Sequence, residues 1–363
     1  MRFVSPLLKH VVYPSLAKAG MFRRNGEGLS IVTYHGVLPE GYRLIDPALD
    51  GSLVTEEMFR RQLRLLKTNY NVISPEMMRR WCEGKAELPE RALLITCDDG
   101  LVNGATQMLP ALRDEAVACL FFVIGLSAEQ SARMLWYEEL YLMLAAARPG
   151  RFSVVLDEIE VAGVVGTQNK TRALWRDLTM LLEGCDGETC MRFLDAIRAQ
   201  LELSGQFVRE YLADAIAEQR FRLLGPRELH MLLAAGMSIG AHTLTHPMLS
   251  RLPEESAWFE ISEGRRRLEE VLGRKVWAFA YPFGGPIAVS EREFAMVERA
   301  GYEAAFLSFG GGFGSVLPRY ALPRIHITGD MGLSELEAHV SGFYRSLRTH
   351  LGREQRIAGL SAA

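Results

Sequence analysis

Short apolar runs recur along the chain, at Leu29 to His35, Ala92 to Cys97, Ala118 to Gly125, Met237 to His242, Val276 to Pro282, Ala304 to Phe309 and Leu322 to Thr328. They are continuous rather than alternating, the pattern of strands covered on both faces. Helical periodicity lies between them. In TEEMFRRQLRLLKTN, Thr55 is a candidate N-cap and Met58, Phe59, Leu63 and Leu66 share one face. Ser74 followed by Pro75 predicts another helix start, and the helical runs after Pro253 and Ser290 stop at Gly273 and Gly301. Strands alternating with helices predict a parallel α/β sheet, open or closed into a barrel.

One stretch breaks the alternation. From about 128 to 222 the pattern is mostly helical, with a single strand-like piece, RFSVVLDEIEVAG, near its start. It reads as an insertion into a catalytic domain spanning 29–330, preceded by an N-terminal segment (1–28) and followed by a C-terminal helix and tail (331–363). The cluster FGGGFG (Phe309 to Gly314) follows a strand but precedes no helix, so it reads as a mobile loop rather than a phosphate cradle.

Composition changes this picture little. Apolar residues make up 48% of the 363 and charged residues 23%, with a formal net charge of −3, which gives no sign of a nucleic-acid partner. Five cysteines without a C-x-x-C pair suggest free thiols in a reducing compartment. No apolar run reaches the roughly 20 residues that span a bilayer, and the N-terminus lacks the form of a signal peptide. The chain is therefore expected on the cytoplasmic side. Its first residues carry Arg2, Lys9, Lys18, Arg23 and Arg24 before the first acid, Glu27, interleaved with Leu7, Leu8, Val11, Val12 and Leu16. That predicts either a helix packed on the domain or a basic amphipathic segment resting on the inner membrane face.

The candidate chemistry lies at strand ends. His242 and His246 in GAHTLTHP are four apart after a strand, and on a helical turn both imidazoles could reach one metal ion. Asp98 and Asp99 end another strand and supply the carboxylate that an open metal site usually adds to two histidines. A cation there would offset the repulsion between the two carboxylates.

At these residues the sequence resembles the polysaccharide deacetylases that share the NodB-type homology domain (carbohydrate esterase family 4). The family's T-F-D-D-G is matched by Thr96-Cys97-Asp98-Asp99-Gly100, its H-[ST]-x-x-H by His242-Thr243-Leu244-Thr245-His246, and its third motif by Pro282, Phe283 and Gly284 in FAYPFGG. The resemblance covers roughly Leu29 to Thr328 without the insertion, and implies a distorted (β/α) barrel of the NodB type. It also implies that Asp99, His242 and His246 hold one divalent metal, while Asp98 stays off it as general base. Donor chemistry suits zinc, with cobalt, nickel and manganese as alternatives.

Phe283 is then the oxyanion residue through its backbone N–H, next to Pro282. The implied activity is metal-dependent hydrolysis of N-acetyl groups on an amino sugar in a polysaccharide or lipid-linked glycan, a metal-bound water attacking the amide. An amidase on a small amide and a catalytically silent glycan-binding member are the alternatives. The sequence departs from the pattern at Cys97, at Ala280 in place of the third motif's arginine, and in lacking the late L-x-H motif that supplies the general acid. Tyr34-His35 resembles the poly-N-acetylglucosamine deacetylase branch, where that histidine is the acid. His35 is the first candidate here, and His326, read as mid-strand, the second. Arg324 is a candidate to orient Asp98 in place of the missing arginine.

Overall fold

The seven apolar runs become seven strands: β1 (Leu29–Tyr34), β2 (Ala92–Cys97), β3 (Leu120–Val123), β4 (Ser238–Ala241), β5 (Ala278–Ala280), β6 (Ala304–Gly310) and β7 (Leu322–His326). The computed structural model describes residues 6–24, 28–129, 133–156, 159–310 and 318–350. Every neighbouring pair of these strands is parallel, in the order β1-β2-β3-β4-β5-β6-β7, and β7 returns to β1 to close a barrel. This is the distorted (β/α) barrel expected. Part of the distortion is local: at its start β2 pairs on one side with the short strand Asn71–Val72, and only its last residues, Thr96 and Cys97, reach β3.

The helix signals hold in detail. Thr55 Oγ1 accepts from Met58 N at the start of Glu56–Asn69, whose Phe59, Leu63 and Leu66 are buried. Ser74 caps Pro75–Cys82, and Glu254–Leu272 ends on Gly273 in the left-handed conformation, φ 62°. All five cysteines are free. Phe309 and Gly310 close β6, and the rest of the glycine cluster lies outside the described residues.

Between β3 and β4 the chain forms the helices Trp136–Ala146, Gln168–Leu182, Gly187–Gln200, Phe207–Tyr211 and Ala215–Phe221. The single strand-like piece is an antiparallel hairpin, Gly150–Leu156 with Ile159–Val165. These elements bury an apolar cluster of their own, including Leu140, Leu144, Phe152, Leu178, Phe193 and Phe221. Charges tie the cluster to the loop after β1. Fully buried Arg220 donates from Nε to Asp50 Oδ1 (3.0 Å) and from Nη1 to Glu138 Oε1 (2.8 Å), and Arg172 forks onto Asp46. Burial pushes the Glu138 carboxyl up to about 7 even though Arg220 pulls it down.

The N-terminal segments Leu8–Val12 and Tyr13–Lys18 pack on the barrel through Tyr13, which is buried with Phe22 and Ala338. Lys9 pairs with Asp330 and Glu335 of the C-terminal region, and Leu7, Val11 and Met21 face outward. No helix among the described residues is long and apolar enough to cross a membrane.

Removing one partner of a buried ion pair strands the other in a medium that cannot solvate it. Arg220→Ala is expected to lose about 3–5 kcal/mol in equilibrium denaturation. Arg266→Ala, on exposed helix pairs, should leave the midpoint where it is. An Arg220→Ala protein as stable as the parent would remove this tie from the account.

Candidate active site

Each strand end delivers one part of the site to the carboxyl mouth of the barrel. Asp98 continues β2, its N–H bonded to Tyr34 O, and Asp99 follows in the left-handed region at φ 73°. A non-glycine residue there is strained, and such strain gathers at functional sites. Gly100 also has φ 73°, and a Cβ on it would stand 3.0 Å from the Val123 side chain, so the turn needs glycine at this point.

His242 and His246 come together differently from the expectation. They share no helical turn; the chain after β4 is a loop with Thr243 at φ 63° and His246 at φ 70°. Side chains brace that loop. Thr243 Oγ1 accepts from His246 N at 3.0 Å, and buried Glu260 accepts from Leu244 N, Thr245 N and Thr245 Oγ1 at 2.9, 2.8 and 2.7 Å. Gly264 lets the Glu254–Leu272 helix approach, since a Cβ there would lie 2.6 Å from the Thr243 carbonyl carbon. The i, i+4 spacing was informative, but the loop, not helical geometry, converges the rings.

The convergence is tight. One donor atom each from Asp99, His242 and His246 lies within 4.8 Å of the others, all three residues being buried. Asp99 Oδ1 stands 3.5 Å from His242 Nε2 and 3.3 Å from His246 Nε2. His242 Nδ1–H donates to Ala280 O at 2.7 Å, which leaves Nε2 as the free lone pair facing the cluster. Two imidazole nitrogens and one carboxylate oxygen suit a divalent cation with positions left for water and substrate. Burial pushes the Asp99 carboxyl up, but the neighbouring imidazoles of His35, His242 and His246 together hold it well below the usual range.

Asp98 faces a different partner. Arg324 on β7, fully buried, reaches across the barrel with Nη1 2.7 Å from Asp98 Oδ1 and Nη2 2.5 Å from Oδ2. Its fork is anchored by Thr33 Oγ1, Thr96 Oγ1 and Leu307 O. Desolvation raises the Asp98 carboxyl; the charge and bonds of Arg324, with His242 and His35, together outweigh it, and the net shift is downward. Arg324 thus contacts Asp98 directly, the partner the sequence suggested for it.

The two candidate acids are neighbours. His35 follows β1, and His326 is the last residue of β7 rather than mid-strand. Their rings stack at 4.4 Å with 20° between planes. Because Arg324 and His326 are two apart on one strand, they share a face, which brings both to the site. Pro282 is buried and Phe283 half-buried. Phe283 has φ 59°, its carbonyl accepts from Ser308 Oγ at 2.7 Å, and its ring stands 5.1 Å from that of His246. Gly284 permits this turn, since a Cβ would lie 2.4 Å from Ser308 N.

Three contributors escaped the sequence reading. Glu260 had a signal, an acid on the apolar stripe formed by Ala257, Ile261, Gly264 and Leu268. Trp136 and Tyr137 had none, since they belong to the inserted block. Trp136 Nε1 donates to His246 O (3.1 Å) and Tyr137 Oη to Asp99 Oδ2 (3.4 Å).

With Arg324 replaced by glutamine, burial is left to act on Asp98 unopposed by that charge. The Asp98 carboxyl carbon, followed by NMR, should then titrate at higher pH than in the parent. Stability contributed by ionised Asp98, present above the ordinary carboxylate pKa of about 3.9 and lost as pH falls through its depressed value, should shrink. An unmoved Asp98 titration would show that Arg324 does not hold the charge.

Comparison with known proteins bears on the fold and on part of the chain. Residues 195–305 match the family model described as polysaccharide deacetylase, a stretch that holds both histidines and the Pro282–Phe283 turn but not the aspartates. No curated protein sequence matches the chain. Among solved structures, the deacetylase PplD of Streptococcus pyogenes, in complex with acetate, is 16% identical over 87% of this chain and 99% of its own, with a TM-score of 0.55. IcaB from Ammonifex degensii is 17% identical over 87% and 98%, TM-score 0.51. A de-N-acetylase from Aggregatibacter actinomycetemcomitans is 12% identical over 86% and 99%, TM-score 0.53. At these identities the likeness establishes a common fold.

Proposed function

We propose that this chain is a polysaccharide deacetylase of the NodB type, which hydrolyses N-acetyl groups on an amino sugar of a polysaccharide or lipid-linked glycan, giving acetate and the free amine. The observation that carries this reading is the division of the adjacent aspartates. Asp99 converges with two imidazoles, while Asp98 is held ionised by Arg324 and stays out of that cluster. A purely structural aspartate pair has no need of such separate treatment.

Asp99, His242 and His246 would hold one divalent cation, zinc by preference of the donors. Bound there, it would supply Lewis acidity for the amide carbonyl and for a water. The chain's own residues do the rest. Asp98, ionised well into the acid range, takes the proton from water as it adds to the carbonyl carbon. The Phe283 N–H donates to the oxygen that gains charge. His35 returns a proton to the nitrogen as the C–N bond breaks, so that the amine leaves neutral; the stacked His326 limits how its ring can turn. The match of residues 195–305 to the polysaccharide deacetylase model supports an acetylated glycan as substrate class.

We also propose that the outward face of the N-terminal helical segments, with Leu7, Val11 and Met21 exposed beside Lys18, rests on an anionic lipid surface.

Two sets of measurements test these readings. Asp98→Asn should lower the rate of acetate release from N-acetylglucosamine oligomers by about 10²–10⁴-fold, the usual contribution of a positioned base. Asp99→Ala and His242→Ala should lose the cation and the activity together. Undiminished acetate release by Asp98→Asn would refute the base assignment. Separately, co-sedimentation with phosphatidylglycerol vesicles should fall sharply in a Leu7→Asp/Val11→Asp protein. Equal sedimentation with neutral phosphatidylcholine vesicles would overturn the preference for an anionic surface, and none with either would overturn lipid contact altogether.

A further inference from the structure

The cluster of Asp99, His242 and His246 is built at the barrel's mouth, yet two of its three members are touched by side chains from outside the barrel. Both belong to the first turn of the helix Trp136–Ala146, the first helix of the inserted segment. Tyr137 Oη lies 3.4 Å from Asp99 Oδ2, and its ring centroid 5.6 Å from that of His246. Trp136 Nε1 donates to the His246 carbonyl at 3.1 Å, and the Trp136 ring packs edge-on against Tyr137.

We propose that this helical turn is part of the cation site, with Tyr137 and Trp136 acting as positioning residues for Asp99 and His246. The proposal rests on the reading of the site given above. The two oxygens of Asp99 have different surroundings. Oδ1 is the one that converges with both imidazole Nε2 atoms, at 3.5 and 3.3 Å. Oδ2 is turned to the Tyr137 hydroxyl, and a phenol, neutral at ordinary pH, has one proton to donate to it. Tyr137 therefore reserves Oδ2, and Asp99 offers the cation a single oxygen. A carboxylate that ligates through one oxygen leaves more of the coordination sphere for water and for the substrate carbonyl.

Trp136 acts on the other side. His246 occupies the left-handed region at φ 70°, a conformation that persists only where its surroundings impose it. Thr243 holds its N–H and Trp136 its carbonyl, so both ends of the strained residue are fixed.

The turn itself is anchored. Trp175 Nε1 donates to Tyr137 O at 2.7 Å, and Glu138 is locked to buried Arg220. The inserted segment thus sets the orientation of two of the three residues that would hold the cation.

Cobalt(II) titration of the full chain stripped with chelator tests this without any turnover. The parent should bind one equivalent. Tyr137→Phe, which keeps the ring on His246 and removes only the hydroxyl, should raise the dissociation constant about ten-fold, the lower end for loss of a partner that orients a ligand. Its visible cobalt bands should also weaken as the freed second oxygen increases the coordination number. Trp136→Phe should weaken binding with the band intensities retained. Thermal melting of the stripped proteins checks folding, and Tyr137→Phe decides the matter should Trp136→Phe not fold. A Tyr137→Phe protein with the parent's affinity and bands would overturn this inference while leaving the site intact. A parent that binds no cobalt, or an Asp99→Ala protein that binds it as well as the parent, would overturn the site reading and this inference with it.

Discussion

The pair of Arg324 and Asp98 is the constraint on which the mouth of this barrel depends. Two consecutive carboxylates end a buried strand, where ionisation is disfavoured and each repels the other. Arg324, on the neighbouring side of the barrel and fully buried itself, answers one of them with a two-pronged bond at 2.7 and 2.5 Å. A buried arginine is tolerable only with its donors occupied, and Thr33, Thr96 and Leu307 O take up the rest of its fork. The ion pair therefore needs β1, β2, β6 and β7 in register, which makes closure of the barrel a condition for the charge state of Asp98. Asp99, one residue on, is left to face the imidazoles.

Around this pair the chain repeatedly adopts conformations that cost energy. Asp99, Thr243, His246 and Phe283 all have positive φ, and all lie in the turns that carry the site. The turns are braced from different layers: Glu260 of the outer helix holds Leu244 and Thr245, Ser308 of β6 holds Phe283, and Trp136 of the inserted segment holds His246. Such distributed bracing fixes the imidazoles, the Asp99 carboxylate and the Phe283 backbone in advance, the preorganisation that the proposed reaction would draw on.

Much of this was legible in the sequence, for identifiable reasons. Continuous apolar runs encode strands covered on both faces, so all seven barrel strands could be placed to within a few residues. Thr55, Ser74, Gly273 and Gly301 marked helix ends through local backbone chemistry that tertiary packing did not override. The aspartates and histidines stood out because they sit at strand ends, and Arg324 could be suspected because the resemblance calls for an arginine near Asp98 that position 280 does not supply. What failed was whatever depends on packing between distant segments. The i, i+4 histidines suggested a helical turn, but Glu260 and Gly264 stabilise a loop that sequence periodicity cannot express. His326 looked mid-strand because the apolar pattern runs on to Thr328, whereas β7 ends at His326, whose ring stacks on that of His35. Trp136 and Tyr137 lay in a stretch set apart as an insertion, and nothing local reveals that its first turn folds back onto Asp99 and His246.

The central claim is that the adjacent aspartates have separate partners. Anomalous diffraction from crystals of the full chain soaked in zinc tests it most directly. The account predicts one zinc peak at about 2.0–2.2 Å from Asp99, His242 and His246, with Asp98 still forked onto Arg324. A zinc ion bound by Asp98, or a peak away from both histidines, would contradict it.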